Sequence, residues 1–486
     1  MLGTLIKKEV TETVLDLRFW IVTALFLILI PLGMYVSRKD YERRLASYQR
    51  SHQMYREHYG KDVGPEVEAQ GFRPPPMLSI FALGLDPFMP DKAITSKSGL
   101  VRAAKEPGID NPESLLFGKA DYLFNVSFIV SLAALIFTFN RISGEREKGT
   151  LRLIISGSVR RGEILMAKIV GNYVVLLVPF IVALLVALMI LNTSPDIPVW
   201  SPMLWSALLA IVLITLLFIL AMVSLGICVS TLTHGSMASI MMLFLVWVMG
   251  VLGIPKMSPM IAEAVYPVES RNVVDLAQRI AREDIEKEFN EKKSDLFKRC
   301  RAEFGVTHGG VSTRPSGQAE EKAYAKYNQE VVAIESECQR RIADALRKME
   351  QDYRNRRNVQ ASLAVNFSRI SPVSCYTYLI SGLGGTGPAE PARFIWNAER
   401  YQEQVKAAIY DNWIVKTYRL GGSRATSADK VPGFDPSKAS VPDMKYEYTT
   451  LAEALRTGWI DILLLFTFNV LFFAVAFWRF NKYDVR

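Results

Sequence analysis

The side chains able to do chemistry in this 486-residue chain are few, and their spacing does not suit it. Cys228, Cys300, Cys338 and Cys375 form no Cys-x-x-Cys pair, and His52, His58, His234 and His308 are scattered, so neither set has the spacing of a zinc site. No Gly-x-x-x-x-Gly-Lys-Ser/Thr loop is present to cradle nucleotide phosphates, and the glycine cluster at 382–387 lacks the required lysine. A His-Glu-x-x-His helix and a Gly-x-Ser-x-Gly elbow are missing too. Glu145 and Glu147 are the one carboxylate pair to weigh for acid–base work, but neighbouring charges in a short polar connection are more often solvated or salt-bridged. The sequence therefore assigns no catalytic residue, no cofactor site and no metal site.

The surrounding elements explain that poverty. Half of the residues are hydrophobic and the formal charge is +9, yet apolar and charged residues are segregated into blocks. This is the pattern of a multi-span membrane protein with soluble insertions. The apolar runs are Phe19 to Val36, Tyr122 to Phe139, Ile169 to Leu191, Trp205 to Val229, Met237 to Ile254 and Ile460 to Trp478. Each is about 18 to 25 residues, enough to cross ~30 Å of hydrocarbon. Leu2, Ile6, Val10, Val14 and Leu17 fall at helical spacing ahead of the first span, which reads as an interfacial helix on the inner leaflet. With the N-terminus inside, segments 1–18, 140–168, 230–236 and 479–486 hold three, seven, zero and three Lys or Arg, and the outside loop 192–203 holds none. Both termini are then expected in the cytoplasm. The positive charge follows from this loop bias, and no nucleic-acid-reading motif accompanies it.

The stretch from Arg141 to Lys168 organises the rest. Gly149 is placed to stop one helix and Thr150 to cap a new short one near 150–156. Leu151, Leu153, Ile154 and Ile155 are apolar residues with no evident burial among their sequence neighbours. The run Gly144-Glu145-Arg146-Glu147-Lys148-Gly149-Thr150-Leu151, followed by two basic residues and Glu163-Ile164-Leu165, resembles the connection between the second and third helices of ABC-2-type transporter permeases. The resemblance implies a coupling helix that inserts into a groove on a separate ATP-hydrolysing subunit. Leu151, Leu153, Ile154 and Ile155 would fill that groove. Arg152, Arg160 and Arg161 would meet acidic rim residues or lipid phosphates. It also implies two ATPase copies that bind ATP and Mg, a second permease copy as homodimer partner, and a bacterial inner membrane location. The acidic residue and proline usual near 152 and 158 in the family are Arg152 and Ser158 here, which points to a docking surface suited to one particular ATPase.

The expected fold is mainly α: an interfacial helix and first span (1–36), an extracytoplasmic insertion (37–121), four spans (122–254), a second insertion (255–457), and a last span with its tail (458–486). The first insertion opens with a charged helix, Arg38 to His58, then a Pro74-Pro75-Pro76 turn, and short extended runs near Met77–Leu83 and Ala93–Ser96. In the second, apolar residues at 273, 276, 280, 285, 289, 296, 300 and 304, then at 324, 327, 331, 334, 338, 342, 346, 349 and 353, predict an antiparallel helical hairpin over 268–357. Each helix would run roughly 35 to 40 residues, about 55 Å. In that register Cys300 and Cys338 are offset by roughly 20 Å, too far for a disulfide. The hairpin reads equally well as a solvated stalk or as an arm for an extracytoplasmic partner. Ser368-Arg369-Ile370-Ser371-Pro372-Val373-Ser374, Gly382 to Gly387 and the ending Arg479 to Arg486 resemble the subgroup of copper-enzyme maturation and gliding-motility permeases.

Within the spans, Asn125, Ser127, Asn172, Thr215 and Asn469 are candidates either to line a path or to knit helices together. Asp461 starts the last span, where it reads as interfacial. The scarcity of intramembrane charge argues against ion coupling and leaves room for a lipidic, peptide-like or hydrophobic substrate. Two function classes follow: an ATP-driven export permease, and a scaffold that transmits motion to an external partner without moving a substrate.

Overall fold

The structure is a computed structural model that describes residues 2–60, 67–95, 101–104, 120–156, 159–197, 201–304, 318–420, 423–430, 435 and 439–482. Apolar runs of this length fold as helices because a helix satisfies every backbone N–H and C=O internally, as hydrocarbon demands. Among the described residues six helices are long and apolar enough to cross a membrane: Leu17–His58, Tyr122–Glu147, Arg161–Leu191, Leu204–Leu232, Ser236–Val265 and Trp459–Asn481.

Helix α1 (Leu2–Val14) precedes α2 (Leu17–His58), in which the first span and the charged helix after it are one rod. The second span is α3 (Tyr122–Phe124), a π turn (Asn125–Val130) and α4 (Ser131–Thr138). Two short helices follow, α5 (Ser143–Glu147) and α6 (Thr150–Ile155). The third and fourth spans are α7 (Arg161–Leu191) and α8 (Pro202–Leu232). The fifth joins α9 (Ser236–Val248) through a π turn (Met249–Gly253) to α10 (Ile254–Val265), so it runs eleven residues beyond the expected limit at 254. The hairpin is α11 (Arg271–Phe304) and α12 (Gln318–Ser368). Then come α13 (Pro372–Leu383), α14 (Glu390–Ala408), α15 (Leu451–Thr457) and the last span, α16 (Trp459–Asn481).

One apolar core unites the spans with α13, whose Tyr376 stacks on Phe218 at 4.4 Å between ring centroids. A second core joins the two insertions: Tyr55, Phe72 and Met89 from the first pack with Phe394, Tyr401 and Met444 from the second. Strands β1 (Ala69–Phe72), β2 (Lys92–Thr95) and β3 (Arg102–Ala104) form an antiparallel sheet, with Ala69 opposite Thr95 and Lys92 opposite Ala104. Strands β4 (Trp413–Leu420) and β5 (Ser423–Lys430) pair separately. Met77–Ile80 is a 3-10 turn and not an extended run, because Pro76 sets the entry and Ser79 N–H closes on its carbonyl. Gly84 adopts φ +48°, and a Cβ there would lie 2.5 Å from the Thr386 carbonyl, so glycine at 84 lets this loop pack closely on Thr386. Asp86 anchors the region, bonding Arg73 at 2.8 Å and also Arg44.

The hairpin helices have 34 and 51 residues, the second longer than expected because it continues down to the span ends. Its dry core is Phe289, Cys338, Ile342 and Leu346. At its base the periodicity misleads: Val273, Leu276 and Ile280 are about half exposed and Val274 is buried instead. The inward face there is polar, with Arg271 and Gln278 both bonded to Glu350. Cys338 is a buried free thiol, and the Cys300 side chain lies outside the described residues.

Candidate functional site

The end of the bundle away from the hairpin gathers α1, α5, α6 and the termini of α7, α8, α9 and α16. Gly149, at φ +73°, breaks the chain between α5 and α6. Nothing lies within 4 Å of a Cβ built there, so glycine is needed for its left-handed backbone and not for space. Thr150 is already helical and does not cap; its hydroxyl donates back to the Glu145 carbonyl at 3.3 Å.

The segment is bolted to its neighbours by polar side chains. Ser230, fully buried near the end of α8, accepts from the backbone N–H of Ile142 and Ser143 at 3.1 Å each and donates to the Phe139 carbonyl at 2.8 Å. Arg146 donates to the Thr233 carbonyl at 3.0 Å. Glu147 Oε2 accepts from Ser236 N–H at 3.0 Å and Oγ–H at 2.9 Å, which caps the start of α9. Arg141 donates to Thr13 Oγ1 at 2.6 Å, reaching α1. Glu145 Oε1 accepts from Lys168 Nζ on α7 at 2.7 Å, and the same ammonium reaches Glu9 Oε1 of α1 at 2.9 Å. Glu145 and Glu147 thus serve as fasteners within the chain.

The four apolar residues of α6 diverge. Leu151 is fully buried in the span core, and Ile154 and Ile155 pack partly against it. Leu153 alone stands out, 75% exposed, flanked by exposed Lys148, Thr150 and Arg152. A six-residue helix lying on a bundle must turn one side inward, so the expected four-residue contact face reduces here to one knob in a basic rim. Arg160 is exposed, while Arg161 donates to the Asn481 carbonyl at 2.5 Å and so closes the end of α16.

The three asparagines are buried and bond to backbone: Asn125 to Leu29 at 3.1 Å, Asn172 to Lys168 at 2.7 Å, and Asn469 to Leu217 at 3.2 Å and Leu465 at 2.9 Å. Within the single chain Asn125 and Asn469 knit helices together, whereas Asn172 bonds back one turn within its own helix. Thr215 also knits helices, bridging Tyr122 at 2.8 Å and Tyr376 at 3.0 Å. Asp461 is buried and paired with Arg369 at 2.7 and 2.9 Å, so it is not a solvated interfacial carboxylate. Sequence reasoning missed Glu9 and Lys168 as partners. The available signal was a lone cation, Lys168, entering an apolar run with no sequence neighbour to neutralise it. Among the described residues no group of three or more His, Cys, Asp or Glu could hold a metal ion.

A family model described as "ABC-2 family transporter protein" matches residues 4–485. No curated protein matches the chain.

Proposed function

The chain belongs to the ABC-2 family of transporter proteins, which makes it a multi-pass permease subunit of an ABC transporter, and we propose that the tip Lys148–Leu153 is where its ATPase partner docks and delivers ATP-driven motion. One observation carries this reading: Leu153 is a large exposed apolar side chain on a segment otherwise fastened to three spans and α1. An exposed knob on a fastened base suits force transfer, because whatever grips Leu153 moves the base. Closure of the ATPase would press the tip, and Ser230, Arg146 and Glu147 would pass the displacement to the junction of α8 and α9.

On this reading the end carrying α1 and α6 faces the cytoplasm of a bacterial inner membrane, in keeping with seven Lys and Arg within 140–168. Two permease copies would work with two ATPase copies, which supply the ATP and Mg chemistry that this sequence lacks motifs for. Export is the direction the reading favours, and the external domain and hairpin would lie outside the cell membrane. A second reading has one observation in its favour: the exposed stripe Val273, Leu276 and Ile280 at the hairpin base would let the same motion act on an external partner.

The test is co-purification of the full-length chain from its own cells in mild detergent, beside Leu153→Asp and Arg152→Glu. Loss of a central interface anchor costs about 2 kcal/mol or more, roughly a 30-fold weakening. The expected result is a stoichiometric nucleotide-binding subunit with the wild type and its loss with Leu153→Asp. Retention of that subunit by both variants would sink the docking assignment.

A further inference from the structure

Lys168 is almost completely buried, yet it is placed to serve two carboxylates at once: Glu9 of α1 at 2.9 Å and Glu145 of α5 at 2.7 Å. Glu9 is itself buried, and each carboxylate has a second buried oxygen with no hydrogen-bond partner. The ammonium is therefore the shared counter-charge for both acids. Nothing in a plain surface helix calls for such an arrangement, since α1 needs only its apolar stripe to lie on lipid. The seat around it is specific as well. Gly171 lies one turn beyond Lys168, and a Cβ there would come within 2.8 Å of Glu9 Cβ, so α1 rests directly on the α7 backbone. A second strap runs from Arg141 to Thr13, and Arg18 lies over the Phe139 ring at 5.1 Å.

We propose that Lys168 is a positioning residue that makes α1 a moving part of the transmission unit: α5, α6, α7 and α1 travel as one body when the tip is pushed. This rests on the docking reading above and extends it, because the motion then reaches the face of α1 that carries exposed Lys7 and Lys8. Glu9 is the specific fastener for α1, and Glu145 that for the docking segment. Removing Glu9's charge releases α1 alone, whereas removing the lysine leaves a buried and a half-buried carboxylate facing each other and releases both, since the loss of one partner of a buried ion pair is strongly destabilising.

The experiment places spin labels at Glu12→Cys on α1 and Ser156→Cys at the end of α6, both exposed positions outside the docking tip, with the native cysteines replaced, and measures their separation by pulsed electron resonance. The purified permease is measured alone, then in its ATPase complex with and without ATP and vanadate. The wild-type separation should stay sharp and unchanged across nucleotide states. In Glu9→Gln and Lys168→Met it should broaden or shift by about 5 Å, one helical turn, and Lys168→Arg should restore the sharp distribution. A wild-type separation that changes with nucleotide overturns the proposal, as does a Lys168→Met distribution identical to wild type. If no ATPase co-purifies with the wild type, the docking reading fails on its own, while the nucleotide-free comparison of wild type with Glu9→Gln still decides the clamp. Glu9→Gln keeps the Lys168–Glu145 pair, so it remains informative where Lys168→Met fails to fold.

Discussion

The segment proposed for docking and the long hairpin are both charged excursions from an apolar bundle, yet they are held by opposite means. The hairpin buries one dry cluster, Phe289, Cys338, Ile342 and Leu346, and much of the rest of its contact is made by exposed or half-exposed ion pairs such as Lys293–Glu335 and Arg341–Glu288. The docking segment is fastened chiefly through polar groups: Ser230 to two backbone amides, Glu147 to the start of α9, and Glu145 to a buried lysine. The difference is physical. Apolar packing along two long helices tolerates sliding and local opening, whereas directional hydrogen bonds to buried backbone fix one geometry and penalise any other. The first arrangement suits a stalk, and the second suits the displacement-passing role proposed above.

That contrast can be broken most forcefully at the hairpin core. Phe289→Ala should cost about 3 to 5 kcal/mol of local hairpin stability, read as faster amide exchange across residues 280–296. Exchange in 142–156 and ATPase co-purification should remain at wild-type level. If docking falls with it, the two regions are not independent.

A second test uses a titrating group that caps the start of the second span. Asp121 is buried and accepts from Leu83 N–H at 2.8 Å and Phe124 N–H at 2.7 Å, yet burial raises its carboxyl from 3.8 to about 6. Because the folded value lies above the unfolded one, its contribution is complete below pH 4 and is lost as pH rises through 6. Over that window the wild type should lose about 2 to 3 kcal/mol relative to Asp121→Asn, which keeps an acceptor but does not ionise. Parallel pH profiles of detergent melting for the two proteins would refute this. A third test is Ser230→Ala, which strands two buried amides at a cost of about 1 to 3 kcal/mol each. It should raise exchange in 142–147 and leave 280–296 unchanged.

Much of the architecture was legible because single-residue demands impose it. Hydrocarbon thickness sets the length of the spans, and Gly149 marks its break because few other residues adopt that backbone. The hairpin was legible where leucine, isoleucine and phenylalanine meet. It failed at 273, 276 and 280, where Glu350 draws Arg271 and Gln278 inward and turns the apolar stripe away. The π turns at Asn125–Val130 and Met249–Gly253 left no periodic mark, since one extra residue per turn looks like ordinary scatter in an all-apolar run. The shared core of the two insertions, and the Glu9–Lys168 arm of the clamp, join residues more than a hundred positions apart. At the docking tip the residue types were readable, but which side of α6 faces the bundle was not, because six residues carry too little periodicity to fix a phase.

The most direct measurement is site-specific photocrosslinking in native membranes, with the reactive side chain at Leu153 and, in a parallel strain, at Leu276. The account predicts that Leu153 yields an adduct with an ATP-hydrolysing subunit and that Leu276 never does. An ATPase adduct at Leu276, or none at Leu153 while the complex is assembled, would contradict it.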